Sequence, residues 1–203
     1  MGRPHRKIWR SLTATFSPGC AEVRPAREDR LPVMVPRSDK RLCLTHPERT
    51  RELRKHLVEA LRTLRMAKHP ARSASSTRPE PEGLVARVAR TACLLCRGSC
   101  CRGGGDHGYM DERTMARVRR ARAELDAREV LRLYVGLVPG LSYEDSCLFH
   151  GEQGCTLPRS IRSDICNSYF CRGLEDYIQS NDPTEPVLII AGEGEGIRTS
   201  PVL

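Results

Sequence analysis

Four cysteines fall within nine positions of the segment CLLCRGSCCRGG, at Cys93, Cys96, Cys100 and Cys101. Four more follow at Cys147, Cys155, Cys166 and Cys171, while the other two of the ten, Cys20 and Cys43, lie well upstream. Thiols at this density could be disulfide partners, redox catalysts, metal ligands or accidents. The opening MGRPHRKIWRSLTATFSP lacks the apolar stretch of a secretory signal. The expected compartment is therefore the reducing cytoplasm, which disfavours disulfides. A thioredoxin-type pair is disfavoured as well, because CLLC sits on no strand-to-helix turn of a βαβ unit.

Metal ligation accounts for the spacing better. A C-x-x-C turn lets two thiolates approach one ion at about 2.3 Å each, and thiolates from elsewhere close a tetrahedron. The adjacent Cys100 and Cys101 add a constraint, since neighbouring side chains on an extended backbone point to opposite sides and seldom chelate the same ion. Two metal sites, or one multi-iron cluster with spare thiols, satisfy it. Four thiolates on a divalent ion leave an excess negative charge that a nearby cation would offset. Arg97, Arg102, Arg162 and Arg172 each lie within four residues of a cysteine and could do so; plain solvation at the surface is an equal account in a chain with 34 Lys and Arg.

These residues resemble a known family. The run from Cys93 through Cys96 and Cys100 to Cys101 is similar to the CxxCxxxCC signature of the YkgJ-like cysteine-cluster family, described as a zinc- or iron-chelating domain and often labelled an iron–sulfur protein. Downstream, SCLFHGEQGC supplies Cys147 and Cys155, RSDIC supplies Arg162 and Cys166, and NSYFC supplies Cys171. The resemblance covers about 80 residues and all eight clustered cysteines. Two departures are Ser163, where the family usually has proline, and Pro158, where an aromatic is common. The resemblance implies that all eight are ligands, and with the crowding of thiols it favours a [4Fe–4S] cluster over zinc, which needs four. Distant relatives with such a cluster are associated with protein-lysine methylation, so a cluster-dependent protein-modifying enzyme is one alternative. Nothing in this sequence resembles a methyl-donor site.

Other polar groups carry less. His107 and His150 lie near the cysteine segments but, with eight thiols present, read as solvent-exposed or as hydrogen-bonders behind the ligands. Asp106, Asp111, Asp145 and Glu152 form no acid/base pair by spacing. GEGEG at 192–196 resembles a phosphate loop only superficially, because its glutamates would repel an anion and no G-K-[ST] follows.

The elements that must position the cysteines are short. Thr45 and Glu48 have capping-box spacing, and Leu53, Leu57, Leu61 and Leu64 recur on one face, which predicts a helix from Pro47 to about Lys68 that packs on the domain rather than forming a coiled coil. ARSASSTRPEPEG at 71–83 has linker composition. Leu84, Val85, Val88 and Ala92 then place Cys93 and Cys96 at the end of a second helix. Asp111 is an expected N-cap for one long helix or two short ones, SYFCRGLEDYIQS reads as a short helix, and PVLIIAG as a strand. The expected organisation is a disordered basic arm over 1–44, a helix and linker over 45–82, and a cysteine-cluster domain over 83–203. The expected fold is α+β, mainly helical and metal-stabilised, because three Phe and one Trp make a large aromatic core improbable.

Charge divides along the same lines. Residues 1–92 hold 21 Lys and Arg against 9 Asp and Glu, and residues 93–203 hold 13 against 16. A basic arm on a mildly acidic domain suggests a second alternative, a zinc-stabilised interaction module whose arm meets nucleic acid or an acidic protein. The arm has no interleaved aromatics for base stacking, and solvation alone explains it better. No stretch has the length and apolarity of a membrane span, so no membrane partner is expected.

Overall fold

The computed structural model describes residues 32–66, 81–179, 187–192 and 196–203, all within a compact unit spanning Leu31–Leu203. The architecture is α+β with small sheets. Helix α1 runs Pro47–Met66, α2 Gly83–Cys96, α3 Glu112–Ala121, α4 Ala127–Gly136, α5 Asp164–Ser168 and α6 Arg172–Ile178. The strands are β1 Val33–Val35, β2 Leu42–Leu44, β3 Leu141–Tyr143, β4 His150–Gly151, β5 Gly154–Cys155, β6 Ile189–Ala191 and β7 Arg198–Thr199.

Two apolar cores organise these elements. In the first, α1 lays Leu53, Leu57 and Leu61 against Met115 and Val118 of α3 and Val130 and Tyr134 of α4. The leucine stripe thus packs inside the domain, as its spacing predicts. Tyr134 and Phe149 are fully buried here with ring centroids 6.3 Å apart, so few aromatics serve the core. The Tyr134 hydroxyl donates to the Ile161 carbonyl at 2.7 Å, tying α4 to the 3₁₀ turn Arg159–Ile161. Tyr134→Phe should leave that carbonyl unsatisfied and cost about 1–3 kcal/mol, read as a lower denaturant midpoint at unchanged slope.

The second core joins Val33 and Val35 of β1, Val88, Ala89, Ala92 and Cys96 of α2, Leu174 and Tyr177 of α6, and Ile189 and Ala191 of β6. The central strand is β6, parallel to β1 with Val33 opposite Ile189, and antiparallel to β7. Elsewhere β2 pairs with β3, placing Cys43 opposite Ser142, and β4 with β5, placing His150 opposite Cys155.

Three expectations are corrected. Within the arm drawn over 1–44, residues 33–35 and 42–44 form strands, because β1 and β2 gain their hydrogen bonds from β6 and β3, partners remote in sequence. The helix assigned to a separate segment over 45–82 is α1, which seals the first core, so the domain is not confined to 83–203. The Thr45–Glu48 capping box does not form. The helix starts at Pro47, whose fixed φ suits a first helical position, His46 Nδ1 accepts from the Glu48 N–H at 3.3 Å, and Thr45 Oγ1 is buried without a partner among the described residues. Asp111 does cap, accepting from the Thr114 N–H at 2.8 Å, and the ambiguous segment resolves into α3 and α4. A true capping box, Asp126 with Glu129, opens α4. Residues 67–80 and the centre of GEGEG lie outside the described residues.

Candidate metal centre

Cys93 and Cys96 occupy the last turn of α2, three positions apart and hence on one face. The helix stops there because Arg97 adopts the left-handed conformation, φ 51° and ψ 37°, and Gly98 follows at φ 80°. Only glycine fits position 98, since a Cβ would overlap the His150 ring. The reversal aims the Ser99 N–H at Cys96 Sγ, 3.3 Å away, and starts the 3₁₀ turn Cys100–Gly104.

Backbone bonds bring the downstream thiols to this turn. The Cys147 N–H donates to the Cys101 carbonyl at 3.1 Å and the Leu148 N–H to that of Gly105 at 2.7 Å. Cys147 therefore lies against Gly104, where an added Cβ would come within 3.1 Å of its Sγ. Arg49 of α1 secures the loop with three bonds: to Asp106 Oδ1 at 2.6 Å, Ser142 Oγ at 3.0 Å and the Ser146 carbonyl at 2.6 Å. Arg49→Met keeps the stem and removes the fork, and should cost about 1–3 kcal/mol, measured by chemical denaturation. Cys155 sits on β5, Cys166 within α5, and Cys171 at the N-cap of α6.

All eight sequence-predicted residues, Cys93, Cys96, Cys100, Cys101, Cys147, Cys155, Cys166 and Cys171, are free thiols in this region. Each of the seven whose pKa is shifted feels at least one other cysteine. Burial, reinforced by Cys100, Cys96 and Cys171, pushes Cys93 up to about 12. Burial likewise pushes Cys147 up to about 12, with Cys155 and Cys166 adding to it. Cys96, Cys166 and Cys171 are raised for the same first reason. Cys100 differs: the Cys101 thiol donates to it, lowering Cys100 and raising Cys101. Cys93 and Cys100 keep solvent-accessible surface. Crowded thiols of raised pKa hold their protons in place of like charges, and a cation can displace those protons.

Among the proposed charge-offsetting arginines, Arg162 acts on two thiols, Cys93 and Cys166. It is held by the Leu157 carbonyl at 2.7 Å. Arg102 and Arg172 are exposed. His150 is buried rather than solvent-exposed, with Nδ1 3.2 Å from Ser146 Oγ. Burial lowers its pKa to about 4, so it is neutral at pH 7. Ser163, standing where proline was expected, caps α5 by accepting from the Cys166 N–H at 3.2 Å. That role was legible as a serine three residues before the cysteine. Arg49 and Tyr109 were not. Tyr109, held at φ 57°, feels Cys166, Cys100, Cys101 and Cys147, and its hydroxyl lies where a Gly103 side chain would stand.

The thiols are neighbours without being focused: among the described residues, no three Cys, His, Asp or Glu side chains converge on a point that could hold a metal ion. The donor set nonetheless suits a thiophilic metal, being eight thiols of which the Cys96 sulfur already accepts the Ser99 N–H. Cys43 is exposed on β2, and Cys20 lies outside the described residues. Their joint replacement by Ser should leave metal content unchanged and stability within about 0.5 kcal/mol, as metal analysis and a melt will show. No family model matches the chain, and neither does any curated protein or solved structure.

Proposed function

We propose that this chain is a metal-binding protein that holds an iron–sulfur cluster or zinc through its eight clustered cysteines. The observation that carries the reading is the gathering of thiols from α2, the 3₁₀ turn, the loop before β4, β5, α5 and the start of α6 into one neighbourhood. Six separate segments each bring a cysteine to that neighbourhood, more than packing alone requires. The resemblance to the YkgJ-like cysteine-cluster family agrees with it, and the crowding of thiols favours a [4Fe–4S] centre over zinc. Free thiols at all nine described cysteines suit a reducing, cytoplasmic setting.

Each residue's part follows from the local structure. The cysteines would supply thiolate, the Ser99 N–H donates to the Cys96 sulfur and would stabilise its charge, and Arg162 would offset part of the remainder. When bound, the metal supplies cross-linking and, if a cluster, electron transfer. Anaerobic purification tests this. Broad visible charge-transfer absorption with stoichiometric iron and sulfide supports the cluster, and colourless protein carrying zinc supports the structural alternative. Protein that takes up neither on reconstitution refutes the reading.

A further inference from the structure

We infer that the eight thiols form two separate four-thiolate sites, Cys93, Cys96, Cys100 and Cys171 in one and Cys101, Cys147, Cys155 and Cys166 in the other, divided at the 100–101 peptide bond. The inference rests on the metal-binding reading above and fixes how its ligands are shared out.

Packing separates the two sets first. Cys96 and Cys171 belong to the core of α2, α6, β1 and β6, whereas Cys101, Cys147 and Cys155 belong to the core beneath α1, α3 and α4. Side-chain proximity gives the same division. Cys93 has Cys96, Cys100 and Cys171 as its electrostatic neighbours, and Cys96 has Cys100 and Cys171. On the other side Cys101 faces Cys147 and Cys155, Cys147 faces Cys155 and Cys166, and Cys166 faces Cys155. The recorded contacts that cross over, from Cys101 and from Cys166, both lead to Cys100, the residue at the dividing wall.

The backbone explains why the adjacent pair is split. Cys100 and Cys101 begin a 3₁₀ turn, not an extended segment, and although their thiols share a hydrogen bond, successive side chains leave the backbone of such a turn about 120° apart. The Cys101 carbonyl accepts from the Cys147 N–H, fixing Cys101 to the second set, while Cys100 is left facing the end of α2 and the start of α6. Four thiolates complete the shell of one zinc ion or anchor one [4Fe–4S] cluster, and both need the same ligand count. Arg162 faces one member of each set, Cys93 and Cys166, so one guanidinium serves both charge excesses. Binding draws the sulfurs of each set together from their present spread.

The test uses the full chain, reduced and metal-free under anaerobic conditions, loaded with zinc alone in one arm and with ferrous iron plus sulfide in the other. Native mass spectrometry should count two centres per chain in the arm that loads. Cys93→Ser/Cys171→Ser and Cys147→Ser/Cys155→Ser should each retain one, and adding Cys100→Ser should remove the remaining centre from the second variant but not from the first. Because a variant can fail to fold, the unmodified chain is also alkylated at half-saturating metal. Protection should then rise and fall together within each set of four. Protection shared across the sets, or a single centre per chain, overturns the inference while leaving metal binding intact. No centre in either arm overturns both.

Discussion

Chelation of the metal-loaded protein is expected to lower its melting temperature by about 20–40 °C, or to leave it without a cooperative transition. Thiolate–metal binding in small domains supplies on the order of 10 kcal/mol of folding free energy. In a domain of this size each kcal/mol moves the midpoint by about 2–4 °C. The effect is large here because the ligands come from segments with little else to hold them. Helix α5 has five residues, β4 and β5 two each, and α6 seven. The first core, under α1, has its own apolar packing and should keep helical signal after chelation. Circular dichroism and calorimetry before and after chelator, with re-addition of metal, measure the change. An unaltered melt in protein shown to have lost its metal would contradict it.

Gly173→Ala is expected to be the most damaging single substitution outside the cysteines. Helix α6 crosses β1 so closely that a Cβ at 173 would overlap the Met34 carbonyl oxygen. The obstacle is backbone in a strand paired to β6, so no side-chain rotation relieves it. Forcing α6 away from β1 would open the second core around Leu174, Tyr177 and Ile189, all nearly inaccessible to solvent. The cost should exceed about 3 kcal/mol, above the usual range for overpacking. Gly136→Ala, where nothing lies within 4 Å of the added Cβ, is the matched control and should be neutral or slightly stabilising. Parallel urea titrations of the two variants decide the matter.

The parts of this fold that were legible in the sequence are those whose signal is local. The leucine stripe of α1, the helix ending at Cys96, the Asp111 cap and the strand in PVLIIAG each announce themselves within a few residues, and each is present. Strands β1 and β2 were missed because three residues carry no period, and what makes them strands is a partner at the far side of the fold. The Thr45–Glu48 spacing matched a capping box that does not form, although the helix does start at Pro47 as the sequence predicts. At the candidate site, the clustering of eight thiols could be read from spacing. Which core each cysteine enters could not, because it depends on the turn taken at residues 97–101 and on contacts remote in sequence. Arg49 and Tyr109 were invisible for the same reason: one acts from α1 and the other through an unusual backbone angle.

The parallel pairing of β1 with β6 sets an order on biosynthesis. Strand β1 emerges early from the ribosome, yet its edge stays unpaired until residues 189–191 have cleared the exit tunnel. The α1–α3–α4 core needs nothing beyond Ile161 and can close first, during translation. Cys101, Cys147 and Cys155 are therefore housed while the chain is still growing, whereas Cys96 and Cys171 wait for the last strands. For those two thiols the interval between synthesis and enclosure is a period of exposure, in which they are open to oxidation.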